Sequence, residues 1–203
     1  MATVNATPQS VVGPITGIDH HTAVFAVRTL LEHLGESPDR EGLLRTPERV
    51  VASLREMTVG YSMDPAEILT TTFSDECDEM IVVGGIDFYS LCEHHMLPFV
   101  GTATVGYIPN GKVLGLSKIP RLVECFARRL QIQERLTNQI ASALQAHLQP
   151  LGTGVIIHAM HFCVACRGVQ KANTRMTTSS LLGKMRDSAP ARSEFLGFTE
   201  SRH

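Results

Sequence analysis

Neither sign of charge dominates this chain. Lys and Arg number 18 against 20 Asp and Glu, for a formal net charge of −2. A nucleic-acid or membrane surface built on bulk charge is therefore not expected, and an anionic small molecule would need locally clustered Arg and Lys. No apolar run reaches the roughly 18 residues of a membrane-spanning helix. The first stretch, Met1 to Gly13, lacks the apolar core of a signal segment. Cysteine is scarce and odd in number, at five. Without an export signal, that argues against a disulfide framework and for reduced thiols in the cytoplasm. Internal repeats and low-complexity segments are also missing. The remaining balance, 43% apolar and 19% charged, is that of an ordinary globular protein.

Local patterns divide the chain into three regions. Residues 1–17 carry Pro8, Gly13, Pro14 and Gly17 with little periodicity and are expected to form a flexible tail. Residues 18–69 form a helical region. Asp19 is placed to cap a helix running to about Leu34, with Val24, Val27, Leu31 and Leu34 at helical spacing. Thr46-Pro47-Glu48 opens a second helix that Gly60 is expected to stop. Asp64-Pro65 opens a further short turn.

Residues 70–203 change character. Short β-branched segments occur at Thr70–Phe73, Met80–Val83 and Ile86–Cys92. Phe99–Ile108, the turn Pro109-Asn110-Gly111 and Lys112–Leu116 read as a hairpin. Ser117 is placed to cap a helix with Pro120 in its first turn. A second helix runs from about Gln133 to Leu148, Gly154–Cys163 reads as a strand with Thr174–Leu182 as its partner, and Ala189–Phe198 as a terminal helix. Helices followed by β-β-α-α-β-β imply an α+β domain with an antiparallel sheet and helices on one face.

The chemistry concentrates in two short stretches, Leu91-Cys92-Glu93-His94-His95 and His161-Phe162-Cys163. Two Cys and one His are three ligands, and three ligands leave a tetrahedral Zn²⁺ one open position, the count of a catalytic rather than a structural site. Strand alternation puts His161 and Cys163 on one face and His158 on the other. Cys166 follows Cys163 at Cys-x-x-Cys spacing, so a closed site of three Cys and one His competes with the open one. Cys125, among apolar helix residues, reads as core. Lys118 and Arg121 open one helix, Arg49 sits in the first turn of another, and Arg167 follows the His-x-Cys strand. Helix N-termini and Arg forks suit polyphosphate oxygens. Gln133-Glu134 opens the second central helix, where a carboxylate can accept from the N1–H and 2-amino group of guanine, although on the residues alone plain helix capping is the favoured reading.

These stretches, together with Gly115-Leu116-Ser117-Lys118, Gln131-Ile132-Gln133-Glu134-Arg135-Leu136-Thr137 and Arg167-Gly168-Val169, resemble GTP cyclohydrolase I in order and spacing, from about Asp19 to Phe198. The resemblance implies conversion of GTP and water to 7,8-dihydroneopterin triphosphate and formate, the first step of folate and pterin synthesis. By match to the family's motifs, Cys92, His95 and Cys163 would bind zinc. His94 and His161 would transfer protons, and Ser117 would lie near the ribose. Gln133 and Glu134 would hold the guanine edge, and Lys118, Arg121, Arg167 and Arg49 the triphosphate. The resemblance makes residues 70–203 a catalytic domain of the tunnelling fold, its sheets joined into a barrel in a homodecamer of two stacked pentamers with active sites shared between subunits. It favours Cys163 over Cys166 as ligand. One departure stands out: Ala52 occupies a position, one turn after Arg49, where many relatives carry a second basic residue, and Arg55 is the nearest substitute. Two alternatives on the same fold are a non-catalytic zinc-stabilised nucleotide-binding oligomer and an enzyme acting on a pterin or deazaguanine.

Overall fold

The computed structural model describes residues 19–74 and 76–200; the tail expected over residues 1–17 lies outside them. The chain separates into two compact units, one ending at Glu56 and the other beginning at Met57.

The first unit is helical. Helix α1 (His20–His33) starts where the Asp19 carboxylate accepts from the Thr22 N–H at 2.7 Å, satisfying one of the donors a helix start leaves open. Arg28 donates two hydrogen bonds to Asp39, at 3.0 and 2.8 Å, and so ties α1 to the loop that follows. Helix α2 (Thr46–Met57) carries Arg49 and Ala52.

The second unit begins with a 3₁₀ turn (Val59–Ser62) and the one-turn helix α3 (Pro65–Ile68), whose start the Asp64 carboxylate caps through the Ala66 N–H. The strands are β1 (Thr72–Ser74), β2 (Ile81–Cys92), β3 (Pro98–Ile108), β4 (Lys112–Leu114), β5 (Leu130–Gln131), β6 (Gly152–His161) and β7 (Met176–Gly183). The helices among and after them are α4 (Lys118–Ala127), α5 (Gln133–Leu148), α6 (Phe162–Ala165), α7 (Lys184–Asp187) and α8 (Ala189–Glu200). Five strands form one sheet in the order β5-β2-β3-β6-β7, antiparallel except for the short β2–β5 pair. This is the α+β class expected from the order of elements.

Helix α5 packs against β6 and β7, and α4 against β2. Ile119, Leu122, Val123 and Phe126 of α4 and Leu136, Ile140 and Leu144 of α5 are buried in the core with Phe88, Phe99, Tyr107 and Ile157 of the sheet. Each such side chain contributes about 1.5–3 kcal/mol relative to an exposed one, and their helical spacing made both helices readable. No helix among the described residues is long and apolar enough to cross a membrane.

Four local expectations are corrected. Phe99–Leu116 is not a hairpin: both edges of β3 are taken, by β2 and β6, so β4 pairs with β1 in a separate two-stranded sheet. The two segments read before Cys92 are one strand, β2, with a register shift between Val83 and Ile86 at the positive-φ Gly85. Gly60 does not stop α2, which ends at Met57. Its N–H donates to the Arg128 carbonyl at 2.9 Å, and a Cβ there would lie 2.4 Å from the Cys125 carbonyl oxygen, so close backbone approach is what requires glycine. Strand β6 ends at His161, and Cys163 lies on the helical turn α6, so strand alternation does not govern its direction.

At the far end of the β3–β6 ladder, Gly106 stands opposite Gly154. The fully buried Phe195 ring of α8 rests on both; a Cβ at either glycine would come 2.7 Å from a ring carbon.

Candidate active site

Cys92 is the last residue of β2, and the turn after it is held tightly. The Met96 N–H donates to the Cys92 carbonyl at 2.8 Å, and the Cys92 N–H to the Leu97 carbonyl at 2.9 Å. Met96 adopts a positive φ of 52° to close this turn. The turn brings His95 back toward Cys92, and α6 brings Cys163 up from the end of β6. The Sγ atoms of Cys92 and Cys163 and a ring nitrogen of His95 lie within 4.8 Å of one another.

These donors fit a metal ion. Atoms about 2.0–2.3 Å from a tetrahedral ion lie roughly 3.5 Å apart, a separation inside the 4.8 Å that bounds this group. At Cys163 the Arg167 guanidinium favours the thiolate, but only as the smallest of several influences. Burial pushes the Cys163 thiol up, and the neighbouring Cys92 sulfur adds to this. A bound cation would reverse that balance, because it would favour both thiolates. Cys166 stands apart from the group: its Sγ donates to the Phe162 carbonyl at 2.9 Å, and it is exposed. A closed site built on Cys166 therefore does not form among the described residues.

His161 sits beside this group on the last position of β6, opposite Phe99 of β3. The two rings stack with centroids 4.6 Å apart and planes 4° from parallel. The His161 Nε2 lies 2.8 Å from the Oε1 of Gln133, the first residue of α5. Burial lowers the His161 pKa from its ordinary value, while the Glu134 carboxylate acts in the opposite sense. His94 lies with its Nδ1 3.7 Å from the Cys92 sulfur. His158, on the opposite face of β6, is exposed and meets the Thr177 hydroxyl at 2.8 Å.

The remaining expected residues lie on neighbouring elements. Glu134 is exposed in the first turn of α5. Gln133 beside it is only 1% exposed, and its amide is committed to protein partners. Ser117 precedes α4 in the N-cap position, but its hydroxyl makes no capping bond, so it is exposed and free of that duty. Lys118 and Arg121 occupy the first turn of α4, and Arg167 follows α6. Among the described residues none of the three is in an ion pair. Arg49 belongs to the first unit.

Sequence reasoning left Glu93 without a role. In the structure its carboxylate accepts two hydrogen bonds from the Arg135 guanidinium, which holds the Glu93 carboxyl below its usual range. The Glu93 N–H also donates to the Gln131 carbonyl at 3.0 Å. The turn that carries His94 and His95 is thus bound to the start of α5. Arg135 stood one residue after Glu134, yet nothing local marked it as the partner of a carboxylate 42 positions away.

Comparison with known proteins bears on this site. A family model described as GTP cyclohydrolase I matches residues 23–200. The protein named GTP cyclohydrolase 1 of Chlorobaculum tepidum is 57% identical over 172 residues, covering 84% of this chain and 77% of that protein. The protein of the same name from Campylobacter jejuni is 54% identical over 176 residues, covering 86% and 93%. Among solved structures, the apo archaeosine synthase QueF-Like is similar at a TM-score of 0.43 and 16% identity, covering 51% of this chain and 93% of that one.

Proposed function

The chain belongs to the GTP cyclohydrolase I family, and we propose that its reaction is centred on a zinc ion held by Cys92, His95 and Cys163. The protein converts GTP to 7,8-dihydroneopterin triphosphate, releasing C8 of the guanine as formate. The observation that carries the site assignment is the convergence of two thiols and an imidazole within 4.8 Å, beside a histidine fixed by stacking and a hydrogen bond.

When bound, the ion supplies the Lewis acidity that lets water act as a nucleophile near neutral pH. The chain's own residues do the rest. The exposed Glu134 carboxylate accepts from the N1–H and the 2-amino group of guanine and so orients C8 toward the three ligands. Opening the imidazole ring requires a proton at N7, and His161 and His94 are the proton carriers nearest the ligands. An imidazole can both give and take a proton, so either ring can serve transfer in both directions. The same pair serves the proton movements of the later ribose rearrangement, with Ser117 beside the sugar. Lys118, Arg121 and Arg167 bind the triphosphate, and Arg49 is the further basic residue that the family's motifs assign to phosphate. Lys118 and Arg121 lie in the first turn of α4, where the positive end of the helix dipole favours phosphate.

The proposal extends to assembly and location. The outer edge of β7 pairs with no other strand among the described residues, which supports continuation of the sheet into a neighbouring subunit and hence a barrel-forming homo-oligomer of two stacked pentamers, with active sites at subunit interfaces. A cytoplasmic location suits five free thiols. GTP is the small-molecule partner, and neither nucleic acid nor a membrane is needed.

The deciding experiment incubates zinc-loaded protein with GTP and measures formate alongside the fluorescent neopterin obtained by oxidation. Equal amounts of the two products are expected. Absence of formate across metals and ionic strengths overturns the reading.

A further inference from the structure

Gln133 is almost completely buried, and its side-chain amide joins two strands and a helix to His161. Its Nε2 lies 3.0 Å from the Ile157 carbonyl oxygen, 3.0 Å from the Met176 carbonyl oxygen and 3.1 Å from the Thr178 hydroxyl. Its Oε1 lies 2.8 Å from His161 Nε2.

The directions of these bonds follow from what each atom can do. Carbonyl oxygens only accept, so the Gln133 atom between Ile157 and Met176 must be the NH₂ group. Turning the amide over would set oxygen against two oxygens. The hydroxyls agree with this. The Thr137 hydroxyl donates to the Gln133 main-chain carbonyl at 2.7 Å. The Thr137 and Thr178 hydroxyl oxygens are 2.6 Å apart, and since the Thr137 proton is already spent, the proton between them comes from Thr178. Thr178 is then an acceptor toward Gln133. Every neighbour of the Gln133 nitrogen is an acceptor, and Oε1 is left to face His161.

An amide oxygen cannot donate, so the bond to His161 needs a proton on His161 Nε2. This holds whether the imidazole is neutral or charged. The Phe99 stack fixes the plane of the ring, and the Gln133 bond fixes its rotation within that plane. Among the described residues no hydrogen bond reaches Nδ1.

We propose that Gln133 is a positioning residue that holds His161 with its proton on Nε2, leaving Nδ1 as the nitrogen that gives a proton to the substrate and takes one back. In each transfer the N–H bond at Nδ1 breaks as the bond to the acceptor atom forms, and the charge on the ring changes by one. Gln133 then acts through His161 and needs no contact with guanine, which separates it from its exposed neighbour Glu134. This rests on the assignment of His161 as a proton carrier.

Neutron diffraction from crystals of the zinc-loaded protein in heavy water reads the proton directly. Deuterium on His161 Nε2 is expected, with or without a second on Nδ1; deuterium on Nδ1 alone overturns the proposal. The kinetic arm uses Gln133→Met, which keeps the length of the side chain but removes both polar atoms. A fall in kcat of at least about tenfold, as when an outer partner of a working imidazole is lost, is expected with KM for GTP unchanged. A raised KM with unchanged kcat would make Gln133 a substrate contact and overturn the proposal, and so would unchanged kinetics. If Gln133→Met does not fold, the neutron result still decides. If the unaltered protein forms no formate, the functional reading fails while the position of the proton remains measurable.

Discussion

The ladder between β3 and β6 is loaded differently at its two ends. At one end Phe99 faces His161 and the rings stack. At the other Gly106 faces Gly154, and the Phe195 ring fills the space that both leave. Each end is built around an aromatic ring, but the demands differ. His161 needs a polar partner, and that partner needs its own, so the near end recruits Gln133 and Thr137 from α5 and Thr178 from β7. The far end asks only for shape, since Phe195 is fully buried and apolar. One ladder thus separates a chemical end from a mechanical end. Substitutions at the first should change turnover more than stability, and substitutions at the second the reverse.

The largest effect tests the chemical end at its metal. Cys163→Ala is expected to lose both bound zinc and formate release, whereas Cys166→Ala keeps both; metal analysis and a formate assay on the purified variants check this. If Cys166→Ala sheds the metal, the ligand set is wrong. The next effect is His161→Ala, expected to retain zinc while kcat falls by about 10²–10⁴-fold, the usual worth of a positioned acid–base group. Loss of metal in that variant would make His161 a ligand. The smallest effect addresses the mechanical end. Gly154→Val forces methyl groups into the Phe195 ring and is expected to cost about 1–3 kcal/mol in urea unfolding, with kcat of the folded protein preserved. A large fall in kcat there would show that the two ends are not separable.

Local signals were legible from residues close together in sequence. The Asp19 and Asp64 caps, the span of α5 and the Cys92-x-x-His95 pair all depend on neighbours within a few positions. What was missed depends on partners that only the fold supplies. The turn at Asn110-Gly111 is present, yet β3 was already paired on both sides, so its local hairpin signal lost to tertiary pairing. The apolar run through Cys163 hid the change from strand to helix at His161. Cys163 still meets Cys92, although by a helical turn and not by strand alternation. The motif reading of Gln133 as a guanine contact gave no sign of its carbonyl acceptors on β6 and β7.

The seat of Phe195 carries a consequence for how the protein is made. Strands β3 and β6 precede α8 in the chain. During synthesis from the N-terminus, both leave the ribosome before the side chain that covers their facing glycines. Until α8 arrives, the nascent sheet shows a bare apolar furrow at Gly106 and Gly154, the kind of surface that chaperones bind and that invites association between unfinished chains. The glycine pair that gives the finished protein its tight far end is thus also a place that stays uncovered until the last helix is made.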